Sequence, residues 1–177
     1  EVDFLKDMRE RCDYMIVGQH CKYVDGFGFD YLCRDEDVRD YTDLVCKAMR
    51  SGLVSCLAHP DYFMLGRRTF TPACAEAAKR ICTVSARTGI PLEINLNGVH
   101  YGQHKYRIST TDPASTETTC AYPFRKFWEI AAAMRCPVCY GWDAHAPLVL
   151  QDFSRVAMAE KLLEGLPLNF IDCSPVD

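Results

Sequence analysis

The chain has 177 residues, of which 49% are hydrophobic and 25% charged, and a formal net charge of −4. That length supports one domain with a full core, and the composition leaves no segment disordered. The absence of a dense Lys/Arg tract disfavours nucleic-acid binding through phosphate neutralisation, and no apolar run approaches the ~20 residues needed to span a bilayer or opens the chain as a signal peptide.

The chain opens on Glu1-Val2-Asp3-Phe4, read as a strand end leading into a helix that holds Leu5 and Met8. With no initiator Met and no lead-in, it reads like a sequence begun in the middle. Tyr14 to Val17 follows as a strand, with Gly18-Gln19-His20 after it. Asp35 to Arg50 has acids in its first turn, Val38, Tyr41, Val45 and Ala48 on one face, and Gly52 beyond its end, the marks of an amphipathic helix. Leu53 to Ala58 is the next strand and runs into His59-Pro60-Asp61. Thr71 and Pro72 open a second helix that Gly89 closes.

Leu92 to Asn95 is a strand, and a long polar loop is expected from Asn97 to about Tyr122. A third helix, Pro123 to Arg135, buries Phe124, Phe127, Trp128, Ala131 and Met134. Pro137 to Trp142 reads as a strand, Phe153 to Glu164 as a last helix, and Leu168 to Ile171 as a short final strand. Alternating strands and helices of this kind imply a parallel sheet covered by helices. Ligands of such folds gather at the carboxyl ends of the strands.

Polar residues with ligand chemistry fall at those ends: His20, His59, Asn95, then Asp143 and His145. Taken alone, a His after a strand is an ordinary hydrogen-bonded loop residue. Several strands delivering such side chains to one edge point instead to a shared ion. Asp143 and His145 are two apart where a strand ends, a spacing that puts both on one side. Imidazole and carboxylate donors suit zinc, iron or manganese. Glu1 is a further carboxylate for bridging two cations; its plain reading is an exposed terminal acid.

Eleven cysteines, an odd number, are scattered from Cys12 to Cys173 within apolar patterns. This is the usage of a reduced, cytoplasmic protein rather than a disulfide framework. Cys136-Pro137-Val138-Cys139 could be half of a zinc site or a redox pair. No second CxxC follows, and the motif straddles a helix end and a strand start, so it reads as structural thiols. No GxSxG elbow is present. His100, His104, Lys105 and Arg107 form a mildly basic cluster, either a solvated loop or an anion grip. Arg67 and Arg68 are a weaker cluster of the same kind.

In chain order, EVDF, VGQHCKYVDG, AHPDYF, LEINLNG and GWDAHAP resemble the motifs of the PHP (polymerase and histidinol phosphatase) superfamily, histidinol-phosphatase branch. The likeness runs from the first residue to Pro147. It implies a distorted, TIM-like (β/α)7 barrel with two or three zinc, manganese or iron ions. By this resemblance Glu1, His20, His59, Asp143 and His145 are metal ligands, with Asp143 and His145 at the catalytic centre. Glu93 and Asn95 match a strand beside the substrate, and His100, His104, Lys105 and Arg107 join them as substrate contacts. The implied reaction is hydrolysis of a small phosphate monoester, with histidinol phosphate and hence histidine biosynthesis as the analogy. The family's initial His-x-His and two later histidines precede its bridging Glu and have no counterpart here. The chain is therefore expected to be the C-terminal part of one barrel, lacking its first βα units and inactive by itself. Such a piece has open sheet edges and is expected to dimerise or to retain its N-terminal fragment. The branch has an Arg soon after the NLNG glycine, where Val99 and His100 stand here. The alternatives are a PHP-type nuclease or nucleotide phosphoesterase, disfavoured by net acidity, and a non-catalytic remnant that binds metal or a partner.

Overall fold

The structure is a computed structural model that describes residues 2–23, 26–109, 111–112 and 114–172. It is a mixed α/β arrangement built on a five-stranded parallel sheet. The strands of that sheet are β1 (Ile16–Val17), β2 (Cys56–Leu57), β3 (Leu92–Asn95), β6 (Pro137–Gly141) and β7 (Asn169–Phe170), in that spatial order. Between β3 and β6 the chain makes an antiparallel hairpin, β4 (Gln103–Arg107) with β5 (Thr116–Cys120). The helices are α1 (Val2–Arg11), α2 (Asp35–Arg50), α3 (Pro72–Thr88), α4 (Arg125–Ala133) and α5 (Ser154–Leu162). Among the described residues no helix is long and apolar enough to cross a membrane.

The two longest helices follow their end signals. α2 starts where the Arg34 N–H donates to the Asp37 carboxylate (2.9 Å) and ends with basic Lys47 and Arg50, matching the helix dipole at both ends. α3 has Pro72 in its first turn. It stops at Gly89, whose φ of 75° forms a left-handed cap with its N–H on the Ser85 carbonyl (2.8 Å). Both helices turn apolar stripes inward, Val38, Tyr41, Val45 and Met49 against Cys74, Ala77, Ala78 and Ile81. Leu57, Leu92, Ile94 and Val138 of the sheet and Phe127 and Trp128 of α4 complete this core.

Two expectations are corrected. Val2 to Phe4 lie in α1, so the opening segment is helical rather than a strand end, and Glu1 lies outside the described residues. The stretch from Asn97 to Tyr122 is not a plain loop, because the hairpin occupies its middle. Tyr106 is buried there and its hydroxyl donates to the Met64 carbonyl (3.2 Å), while Thr69 bridges to Arg107. These contacts hold a polar hairpin whose outer face gives little sequence signal.

Candidate metal centre

The carboxyl ends of β1, β2, β3 and β6 bring His20, His59, Glu93, Asn95 and Asp143 into one neighbourhood. His59 is its most tightly held member. Its backbone has a φ of 32°, a left-handed conformation that non-glycine residues rarely adopt. The surroundings impose it from both sides: the His59 N–H donates to Glu93 Oε2 (3.0 Å), and the buried Tyr41 hydroxyl donates to the His59 carbonyl (3.0 Å). Two residues on, buried Asp61 accepts the Phe124 N–H (2.6 Å) and the Trp128 indole N–H (3.0 Å). Burial pushes the Asp61 carboxyl up to about 7 against those hydrogen bonds.

The His59 ring lies 4.7 Å from the ring of His20 and 4.9 Å from that of Tyr62, centroid to centroid. Burial and the adjacent His20 push the His59 imidazole down to about 4, with Asp143 pulling the other way, so the ring is neutral near pH 7. Among the described residues its Nδ1 is buried without a hydrogen-bond partner. Small residues make room for this grouping: a Cβ on Gly18 would sit 3.0 Å from His59 Nε2. At position 141 a Cβ would overlap the Glu93 carboxylate. Glu93 is itself pushed up by burial, against the Asn95 amide and the His59 N–H, with Asp143 adding repulsion.

Asp143 and His145 reach the site differently from the alternation their spacing implies. β6 ends at Gly141, and Asp143 stands in the following loop with a φ of 44°. His145 folds back so that its Nδ1 lies 2.9 Å from the Asp143 carbonyl oxygen and 3.9 Å from Asp143 Oδ1. The His145 side chain is 76% exposed. Asp143 Oδ2 accepts a hydrogen bond from Asn97 Nδ2 (3.3 Å). Asn97 belongs to the turn after β3, where Asn95 Oδ1 accepts the N–H groups of Asn97 (3.0 Å) and Gly98 (3.2 Å). Asn95 Nδ2 in turn donates to Glu93 Oε2 (3.1 Å).

The expected basic contacts lie farther along the chain. His100 is exposed in a 3₁₀ turn (Gly98–Tyr101), and His104, Lys105 and Arg107 are on β4. Strand alternation sets His104 on the face opposite Lys105 and Arg107. Among the described residues no hydrogen bond ties any of the four to the His59–Glu93–Asp143 group. Arg67 is committed elsewhere, to the Cys33 carbonyl (2.8 Å) and to Asp35 Oδ1 (2.6 Å). The CxxC thiols are separated by their partners: Cys136 Sγ faces the Cys82 carbonyl (3.5 Å), and Cys139 Sγ lies 3.9 Å from Cys56 Sγ.

In kind, the donors fit a divalent cation: imidazoles, a carboxylate, and a buried His59 nitrogen with no hydrogen-bond partner among the described residues. In number they fall short, since among the described residues no group of three or more His, Cys, Asp or Glu side chains is arranged to hold an ion. The sequence reading missed Asn97, Tyr62 and Tyr122, which lie beside His59 and Asp143. The rings of Tyr62 and Tyr122 lie 5.6 Å apart and those of Tyr122 and Tyr101 5.8 Å, a continuous aromatic wall beside His59. Asn97 repeats the Asn95 spacing in LEINLN, the one local hint available; the tyrosines carry none. No protein-family model matches the chain, and no curated protein matches it in sequence.

Proposed function

We propose that the chain carries a metal-dependent phosphoesterase site for a small phosphate monoester, on a barrel of the PHP type. The observation that carries this reading is His59 at the carboxyl edge of a parallel sheet, its ring 4.7 Å from that of His20 and under the electrostatic influence of Asp143, with its Nδ1 buried and, among the described residues, without a hydrogen-bond partner. The winding of the sheet supports the barrel. Its parallel strands follow chain order without the reversal that marks a doubly wound sheet.

His20, His59 and Asp143 would hold the metal, with His145 beside Asp143 and Glu1 as a further carboxylate. A bound zinc, manganese or iron ion supplies hydroxide from water near neutral pH and polarises a phosphoryl oxygen. The chain's own part is positional. The Glu93 carboxylate and Tyr41 hydroxyl fix the His59 backbone, and burial keeps its imidazole unprotonated and able to donate a lone pair. Tyr62, Tyr122 and Tyr101 wall one side against water and offer ring faces to the organic part of a substrate. His100, His104, Lys105 and Arg107 would be the substrate contacts, with Lys105 and Arg107 on β4 as the cations for a phosphate's outer oxygens. A non-catalytic, metal-binding role is the second reading, favoured by the shortage of converging donors among the described residues.

Equilibrium Mn²⁺ and Zn²⁺ binding, paired with phosphate release from p-nitrophenyl phosphate and from histidinol phosphate, tests both readings. The proposal expects ion binding by the chain that His59→Ala and Asp143→Ala each weaken at least about tenfold, and, for the intact protein rather than this chain alone, metal-dependent hydrolysis of the monoesters over a diester analogue. Ion binding with no hydrolysis by the intact protein favours the second reading. Undiminished binding in both variants removes the assignment.

A further inference from the structure

Arg155 is an unusual residue in α5, an arginine only 5% exposed in a short helix near the edge of the sheet. Its Nε donates to Asp152 Oδ2 (3.2 Å), and its Nη1 donates to Asn97 Oδ1 (3.3 Å). Asn97 passes the contact on, through Nδ2 to Asp143 Oδ2 (3.3 Å). Asp152 is steadied by the Ser154 hydroxyl on Oδ1. The path Asp152–Arg155–Asn97–Asp143 therefore runs from α5, across the turn after β3, to the carboxylate after β6.

The chemistry of this path has a direction. A guanidinium has donors and no acceptor, so Asn97 must present its oxygen to Arg155 and its NH₂ to Asp143. Without Arg155 the Asn97 side chain loses its anchor on the oxygen side and is free to swing its NH₂ away from the Asp143 carboxylate. Asp143 most needs such support, since it sits in a loop with a positive φ and no other side-chain donor approaches it as closely among the described residues. We propose that Arg155 is a positioning residue that fixes the Asp143 carboxylate by setting the orientation of the Asn97 amide. Its relevance to metal binding rests on the functional reading above.

The test uses Arg155→Met, Arg155→Lys, Asn97→Ala and the Arg155→Met/Asn97→Ala double variant of the full chain. Methionine keeps the length of the side chain, and Asp152, the charge left behind, is 37% exposed, so the helix can hold. Circular dichroism checks that each variant is folded. The first readout is the ¹³Cγ resonance of Asp143 in the metal-free chain. Arg155→Met and Asn97→Ala are expected to move it alike, the double variant no further, and Arg155→Lys to return it toward wild type. The second readout is Mn²⁺ affinity, where each single change is expected to weaken binding about tenfold and the pair no more than either alone. A wild-type Asp143 resonance in Arg155→Met overturns the proposal, as does a double variant whose loss is the product of the single losses. A wild-type chain that binds no Mn²⁺ defeats the functional reading instead, and the carboxyl resonance still decides the relay.

Discussion

The site is made of two halves held in different ways. The His59 half is set by the core: His59, Asp61, Glu93 and Asn95 are all buried, and hydrogen bonds from Tyr41, Phe124 and Trp128 converge on them. The Asp143 half is set by a few polar contacts. Asp143 and His145 stand in an exposed loop, and among the described residues the Asn97 amide is the side chain hydrogen-bonded to the Asp143 carboxylate. The first half inherits its precision from close packing, which resists any change of volume. The second depends on a short series of polar contacts, each of which can be removed without disturbing the core.

The largest effect is expected from breaking the buried half. Trp128→Ala removes a fully buried indole and the Nε1–H that Asp61 accepts. It is expected to cost about 3–5 kcal/mol of stability, read by urea unfolding. A cost near zero would mean that the core does not hold the His59 half. Gly141→Ala is a smaller intervention, because its new methyl group would occupy the place of the Glu93 carboxylate. Overpacking of this kind is expected to cost about 1–3 kcal/mol. Hydrogen exchange should show the His59 amide losing protection as its acceptor is displaced.

A pH test probes a second polar cluster, which joins the start of α2 to the start of α3. Arg67 and Thr71 both bind Asp35 Oδ1, at 2.6 Å and 2.7 Å. Burial alone would raise the Asp35 carboxyl, but the Thr71 hydroxyl and the Arg67 guanidinium outweigh it and hold the group below its usual 3.8. A carboxyl depressed on folding adds stability above its unfolded value and loses it as pH falls through the folded one. Wild type is therefore expected to lose this contribution only in acid, below pH 3.8, and Asp35→Asn to lack that part of the acid limb. The effect is modest because the Asp35 side chain is 44% exposed. Smallest of all, His145→Ala in the exposed half is expected to change stability by no more than about 0.5 kcal/mol. A loss of several kcal/mol there would erase the contrast between the halves.

The same contrast explains what can be read from sequence. α2 and α3 are legible almost to the residue because their caps are local, Asp37 at one start and Gly89 at one end. LEIN is legible as β3 because all four of its residues are buried and bounded by a proline and a polar turn. The β4–β5 hairpin is not, since only Tyr106, Thr119 and Cys120 of its strand residues are buried and the rest alternate among polar types. His59 announces itself as a histidine just past a strand. The Asp143–His145 spacing is equally visible, yet strand periodicity misstates its geometry because the strand has already ended at Gly141. Arg155 gives no signal at all. Its partner Asn97 is 58 positions away and meets it only through the packing of α5 on the turn after β3.

The central claim is that His20, His59 and Asp143 share one ion. Titrating Mn²⁺ into chain labelled with ¹⁵N at histidine tests it most directly, because paramagnetic broadening falls off steeply with distance from the metal. The account predicts that the His20 and His59 ring signals broaden first and together, and that Asp143→Ala shifts this broadening to higher Mn²⁺ concentration. Broadening that leaves His20 and His59 sharp, or that Asp143→Ala does not alter, would contradict it.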